Sequence, residues 1–146
     1  MNILKVLTDK RRKGNLGEDA AARFLTKNGY RILDRGFVGN HSEIDIVASC
    51  EKTTVFVEVK TRSVGSQSPM EPRPASAVTP EKQRKIISAA RIFMKKRRLE
   101  TRMRFDIIEV LLERVNDKEE VKDIRHLIST FDLDTAYDKA HYFGKY

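Results

Sequence analysis

The chain has 146 residues, 40% of them hydrophobic, a length and composition that fit one globular domain with its own core. No stretch approaches the ~20 apolar residues of a membrane span, and charge follows the short apolar start (Ile3, Leu4, Val6, Leu7) instead of preceding it, so neither a membrane-spanning segment nor a secretory signal is expected. The formal net charge of +8 suits a polyanionic partner such as nucleic acid, and a single cysteine, Cys50, gives no internal disulfide and points to the cytoplasm.

In chain order, the basic run Lys10-Arg11-Arg12-Lys13 comes first, within a basic N-terminal segment at 1–13. Leu16, Ala20, Ala21, Phe24 and Leu25 then recur at helical spacing and predict a helix from Asn15 to Asn28, ended by Gly29. A strand is expected over Tyr30–Val38. Two clearer strands follow, Glu43–Ser49 and Thr53–Thr61, rich in Ile and Val and joined by a hairpin turn near Cys50-Glu51-Lys52. Gly65, three prolines and several serines describe a long mobile loop over 62–78, and such loops are often functional. Thr79-Pro80-Glu81 starts a second helix, with Thr79 as N-cap and Ile86, Ile87, Ala90, Phe93 and Met94 as its buried stripe. Strands at Met103–Leu112 and Val121–Ser129 follow, parted by a turn at Asn116-Asp117-Lys118, and a polar tail occupies 132–146. The order α-β-β-β-α-β-β gives an α/β fold: an antiparallel meander, then a helical crossover to later strands of a mixed sheet flanked by helices.

Strand periodicity locates the chemistry. In the second strand Glu43, Asp45 and Val47 should share one face, with Ile44 and Ile46 on the other. In the third, Phe56, Glu58 and Lys60 should share a face opposite the valines. Pairing that sets Asp45 opposite Glu58 would bring two carboxylates and an ammonium together. Adjacent carboxylates repel, and a divalent cation relieves the repulsion; oxygen ligands suit Mg²⁺ or Mn²⁺. Lys60 could then orient a water or offset phosphate charge. The competing explanation is an ion pair on a half-exposed sheet face, but the flanking Val and Ile residues argue for burial, where charges are costly unless paired.

Asp45, twelve residues, then Glu58-Val59-Lys60 resembles the PD-(D/E)xK pattern of restriction-endonuclease-like nucleases. Gly17-Glu18, Gly29-Tyr30, Glu43-Ile44-Asp45, Phe56-Val57-Glu58-Val59-Lys60-Thr61-Arg62 and Arg104-Phe105-Asp106 resemble the YraN-type bacterial family, which is uncharacterised. Archaeal Holliday-junction resolvases are similar over Lys13-Gly14 to Glu18 and over Glu58 to Arg62. The resemblance implies a restriction-endonuclease-like α-β-β-β-α-β core and a Mg²⁺- or Mn²⁺-dependent endonuclease acting on DNA at branched or recombination intermediates. It implies that Asp45, Glu58 and the Val59 carbonyl hold the metal, that Lys60 assists the water, and that Glu18 supports the site from the first helix. Glu18 has a local rival role, as the third helical residue of a capping box begun by Asn15. A two-fold dimer follows only from the resolvase likeness. The alternative function is a nucleic-acid-binding or assembly module that keeps the fold without cutting.

Two departures stand out. Ile44 replaces the proline of the PD pattern, and Ser42 stands where a glycine is common, so a positive φ there would be strained. Lys13, Thr61, Arg62, Arg84 and Lys85 are candidate phosphate contacts, with further basic residues along the second helix (Arg91 and Lys95 to Arg98). Tyr30, Phe37 and Tyr137 could stack on bases, although the core explains the first two more cheaply. His41, His126 and His141 have no metal-ligand spacing with one another or with Cys50.

Overall fold

A computed structural model describes residues 3–64 and 78–131, with side chains described from Asn15 onward. The C-terminal tail and most of the expected loop, residues 65–77, lie outside the described residues, as do Tyr137, His141 and the side chain of Lys13. The elements are α1 (Ile3–Lys27), β1 (Arg31–Gly39), β2 (Ser42–Cys50), β3 (Thr53–Ser63), α2 (Pro80–Arg97), β4 (Arg102–Val115) and β5 (Lys118–Phe131). This is the expected order, and it contains the α-β-β-β-α-β core. Among the described residues, no helix is long and apolar enough to cross a membrane.

The strands lie side by side in chain order. β1, β2 and β3 form an antiparallel meander, α2 carries the chain over to β4 parallel to β3, and β5 returns antiparallel. Three two-residue turns close the hairpins at Asn40-His41, Glu51-Lys52 and Asn116-Asp117, each with φ positive at both residues. That is the type I′ signature, whose twist matches that of paired strands. Positive φ therefore falls on Asn40 and His41 and spares Ser42, so the strain considered for that serine does not arise.

The sheet is covered on both faces. Towards α2, Ile44, Val47, Phe56, Phe105, Ile107 and Phe131 pack under Ile86, Ile87, Ala90, Phe93 and Met94. Towards α1, Ile46, Ala48, Val55, Val57, Ile108, Val110 and Leu112 pack under Ala20, Ala21 and Leu25. β4 is consequently buried without a break from Phe105 to Val110, as a central strand with helices on both sides should be. α2 begins as expected: Thr79 Oγ1 accepts from the Lys82 N–H at 3.2 Å, and Pro80 opens the helix. It ends at Arg98, which takes the left-handed conformation, while the Leu99 N–H reaches the Met94 carbonyl.

α1 departs from expectation at its start. It runs from Ile3, twelve residues before Asn15, so the basic run at 10–13 is inside the helix and not ahead of it. No proline interrupts this stretch, and its Leu, Lys and Arg residues favour helix; Gly14 alone is too weak a breaker. Asn15 is therefore no N-cap, and the capping-box explanation of Glu18 falls. α1 meets the sheet most closely at Gly17, where any Cβ would collide with the Thr61 side chain.

The α1 side also carries a buried polar network. The Asp106 carboxylate is fully enclosed and accepts from Arg104 Nη2 and Nε at 2.8 and 3.0 Å, from the Ser129 N–H at 3.0 Å, and bonds His126 Nε2 at 2.8 Å. Arg104 also donates to the Tyr30 hydroxyl at 2.7 Å, and both Tyr30 and Phe24 meet the His126 ring edge-on. Burial alone would raise the Asp106 carboxyl, but His126, Arg104 and Ser129 outweigh it and hold it below its ordinary value.

Two outcomes follow for stability. Gly17→Ala should destabilise the fold by roughly 1–3 kcal/mol in urea unfolding, although alanine in a helix normally gains about 1 kcal/mol over glycine, because the new methyl must push α1 off Thr61; a stabilised variant would contradict the contact. Asp106→Ala should cost about 3–5 kcal/mol in the same measurement, since it leaves Arg104 and His126 facing an empty buried site; a loss under ~1 kcal/mol, the scale of a surface pair, would contradict the network.

Candidate functional site

Asp45 sits where the sheet loses regularity. β2 and β3 pair from Cys50↔Thr53 up to Ile46↔Val57 and no further. One more step of that register would set Asp45 opposite Glu58. There the ladder gives way to a side chain, and Asp45 Oδ2 accepts the Val59 N–H at 2.7 Å. On the other side of β2, Gly36 stands across from Asp45 with φ +65, and the β1–β2 pairs skip that position. The backbone thus turns over at Asp45. Ile44 packs towards α2 while Ile46 packs towards α1, so the two do not share a face as strict alternation required.

β3 keeps its alternation. Val55 and Val57 face α1 and Phe56 faces α2, which sends Glu58 and Lys60 towards α2 as expected. Glu58 Oε1 lies 3.4 Å from Lys60 Nζ and 3.1 Å from Lys82 Nζ, which enters from the first turn of α2. The Glu58 and Lys60 side chains are 15% and 26% exposed, enough burial to strengthen their interaction while leaving an opening to solvent. Burial first, and then the neighbouring Glu58, pushes the Asp45 carboxyl up to about 7, against the Val59 N–H, which favours the charged form. Glu18 and Glu43 add to the upward push. Two carboxylates therefore share a place with too little positive charge for both.

The remaining expected residues are spread around this pair. Glu18 projects from α1 and is held by Arg35 Nε at 3.1 Å; the same guanidinium binds Asp19. Its influence on Asp45 is through space. Thr61 is turned to the other face, against Gly17. Arg62 leans on Glu109 with Nε 3.7 Å from Oε1. Arg84 and Lys85 lie exposed on α2, Lys85 beside Glu81 at 3.8 Å. Tyr30 and Phe37 are committed to packing, Tyr30 under Arg104 and Phe37 against Phe93.

Lys82 was not among the expected site residues, and neither was Gln83. Gln83 is buried at the start of α2, where its Nε2 donates to the Val78 carbonyl at 3.0 Å and its Oε1 has no hydrogen-bond partner. The Thr79 N-cap, a signal present in the sequence, puts both in the first turn of α2, but α2 packs over β1 and β2, and Lys82 meets Glu58 only by reaching back to β3 with its long side chain.

Among the described residues, no three His, Cys, Asp or Glu side chains gather closely enough to enclose a metal. The donor set present is smaller, Asp45 and Glu58 with the Val59 carbonyl beside them. It suits Mg²⁺ better than a caged ion, because Mg²⁺ commonly takes one or two carboxylates and keeps waters or substrate phosphate as its other ligands. The raised Asp45 carboxyl reports the excess negative charge that such an ion would relieve.

This geometry falls within the segment shared with relatives. Residues 17–110 match the family described as Uncharacterised protein family UPF0102. The chain belongs to that family. It is 42% identical over 128 residues to a UPF0102 protein of Pelobacter propionicus, covering 86% of each chain. It is also 42% identical over 122 residues to one from Desulforapulum autotrophicum, covering 83% of this chain and 96% of that one. A third, from Caldicellulosiruptor saccharolyticus, is 41% identical over 124 residues, covering 84% and 99%. The family description assigns no activity. The matched segment of this UPF0102 protein spans Glu18, Asp45, Glu58, Lys60 and Lys82 alike.

Asp45 also sets a pH dependence. Its proton is held more tightly in the folded chain (about 7) than by an ordinary carboxyl (3.8), so its contribution to stability is complete below 3.8 and is lost progressively as pH rises through 7. In metal-free buffer Asp45→Asn, which keeps an acceptor for Val59, should melt above the parent at pH 8 and by a clearly smaller margin at pH 5, where less of the loss has accrued. An equal gap at both pH values would contradict the raised carboxyl.

Proposed function

We propose that this UPF0102 protein is a divalent-metal-dependent endonuclease that hydrolyses DNA phosphodiester bonds in the cytoplasm. The observation that carries the reading is the convergence of Asp45 and Glu58, from two strands that have stopped pairing, beside the Lys60 ammonium. The Glu-x-Lys spacing along one strand puts acid and ammonium on the same face by construction.

Asp45 and Glu58 would hold Mg²⁺ or Mn²⁺, with the Val59 carbonyl as a further ligand. Bound there, the ion supplies positive charge to the scissile phosphate and lowers the pKa of a coordinated water. Lys60 orients that water or offsets the charge developing at phosphorus. Glu18, anchored by Arg35, tunes the site through its field on Asp45. The net charge of +8 and the exposed Arg84 and Lys85 favour a phosphate backbone as substrate. Branched DNA as the substrate, and a two-fold dimer to match it, follow from the likeness to archaeal resolvases.

One observation favours a second reading. Glu58 already has two ammonium partners, and no third acidic ligand joins the pair among the described residues. A nucleic-acid-binding or assembly module retaining the fold would look the same.

The test is cleavage of single-stranded, duplex, forked and four-way DNA with Mg²⁺ or Mn²⁺, alongside Glu58→Ala and Lys60→Ala. The proposal expects metal-dependent cutting that falls by at least roughly 100-fold in each variant. Cutting that survives both substitutions would sink the catalytic assignment. Binding of DNA without cutting under either metal would establish the module instead.

A further inference from the structure

We propose that the Lys82 ammonium is the resident counter-cation of Glu58, seated where a divalent ion would bind and displaced when the ion arrives. The inference rests on the assignment of Asp45 and Glu58 as metal ligands, and it adds a residue from α2 that no strand pattern contains.

Four observations carry it. Lys82 Nζ is nearer Glu58 Oε1 than Lys60 Nζ is, at 3.1 against 3.4 Å. Both ammoniums converge on that one oxygen, so together they supply the charge of a single divalent ion. Both ammoniums also sit on Glu58 while Asp45 bonds only the Val59 N–H, so the pair of carboxylates stays short of positive charge and open to a cation. Lastly, Lys82 is free to leave: its side chain is 41% exposed, whereas Lys60 shares its strand with Glu58 and is only 26% exposed. A flexible, strongly hydrated ammonium on a long stem returns to solvent at small cost, because a pair this exposed is only weakly held. Lys85, three residues on and about one helical turn away, lies instead beside Glu81 at 3.8 Å.

With the ion in place, the site would carry two added positive charges, and the freed Lys82 would join Lys60 in attracting a phosphodiester. Lys82 is therefore a competitor of the metal at Glu58 before the ion binds and a binding residue for substrate once displaced.

The experiment uses the full chain and Mn²⁺ alone, without nucleic acid. Calorimetry measures Mn²⁺ affinity for the parent, Lys82→Met, Lys82→Arg and Lys85→Met, and amine acylation mapped by mass spectrometry reads the accessibility of Lys82 with and without Mn²⁺. The inference predicts roughly threefold to fivefold tighter binding for Lys82→Met than for the parent. Lys85→Met, which loses the same charge one helical turn away, should gain less. Lys82→Arg should bind Mn²⁺ no better than the parent, because a guanidinium holds a carboxylate more firmly. Acylation of Lys82 should rise on Mn²⁺ saturation. Mn²⁺ binding with unchanged Lys82 acylation, or with equal gains in Lys82→Met and Lys85→Met, overturns the counter-cation and leaves the metal site standing. Absence of Mn²⁺ binding in the parent and in Lys82→Met overturns the metal site itself.

Discussion

The Val59 N–H is satisfied by a side chain, the Asp45 carboxylate, at the point where β2 and β3 cease to pair. Much of the site depends on that substitution. A main-chain ladder continued through this position would have left Asp45 and Glu58 as ordinary cross-strand neighbours on a closed sheet. Instead the Asp45 side chain reaches into the gap between the strands, and Gly36 across from it lets β2 turn over without steric penalty. The carboxylate gains one N–H and loses water, so its raised proton affinity is the electrostatic record of the arrangement. α2, begun by its Thr79 cap and packed over β1 and β2, closes the other side by reaching Lys82 across to Glu58.

The two faces of the sheet treat buried aspartates in opposite ways. Asp106, towards α1, is met by a guanidinium, an imidazole and a backbone N–H, and its carboxyl is depressed. Asp45 has one N–H and an acidic neighbour, and its carboxyl is raised. The first is a satisfied structural network that ties β4 and β5 to the end of α1. The second is incompletely satisfied at an opening to solvent, which is the condition in which a protein site takes up a cation or a proton. Close approach of α1 to Thr61 at Gly17 accompanies the placement of Glu18 within electrostatic range of Asp45.

Much of this was legible in the sequence because the elements are locally consistent. Every strand, α2 and the C-terminal half of α1 fall where hydrophobic period, Thr79-Pro80 and the polar turns place them, and Phe56, Glu58 and Lys60 share a face as period-two alternation requires. Three features were not legible. The first is the start of α1, because a stretch of good helix formers without a breaker has no internal signal for where periodic packing begins. The break of alternation at Asp45 was hidden because it arises from the partner strand at Gly36. Lys82 was hidden among many basic residues of α2, since only the reach of its side chain to Glu58 on β3 separates it from Arg84 and Lys85. Long-range geometry, more than local propensity, decides all three.

Anomalous diffraction from crystals of the full chain soaked in Mn²⁺ tests the central claim most directly. The account predicts a peak within ligand distance of both the Asp45 and Glu58 carboxylates, absent from crystals of Glu58→Ala. A fully occupied peak elsewhere, or no peak at this pair while Lys82 remains on Glu58, would contradict it.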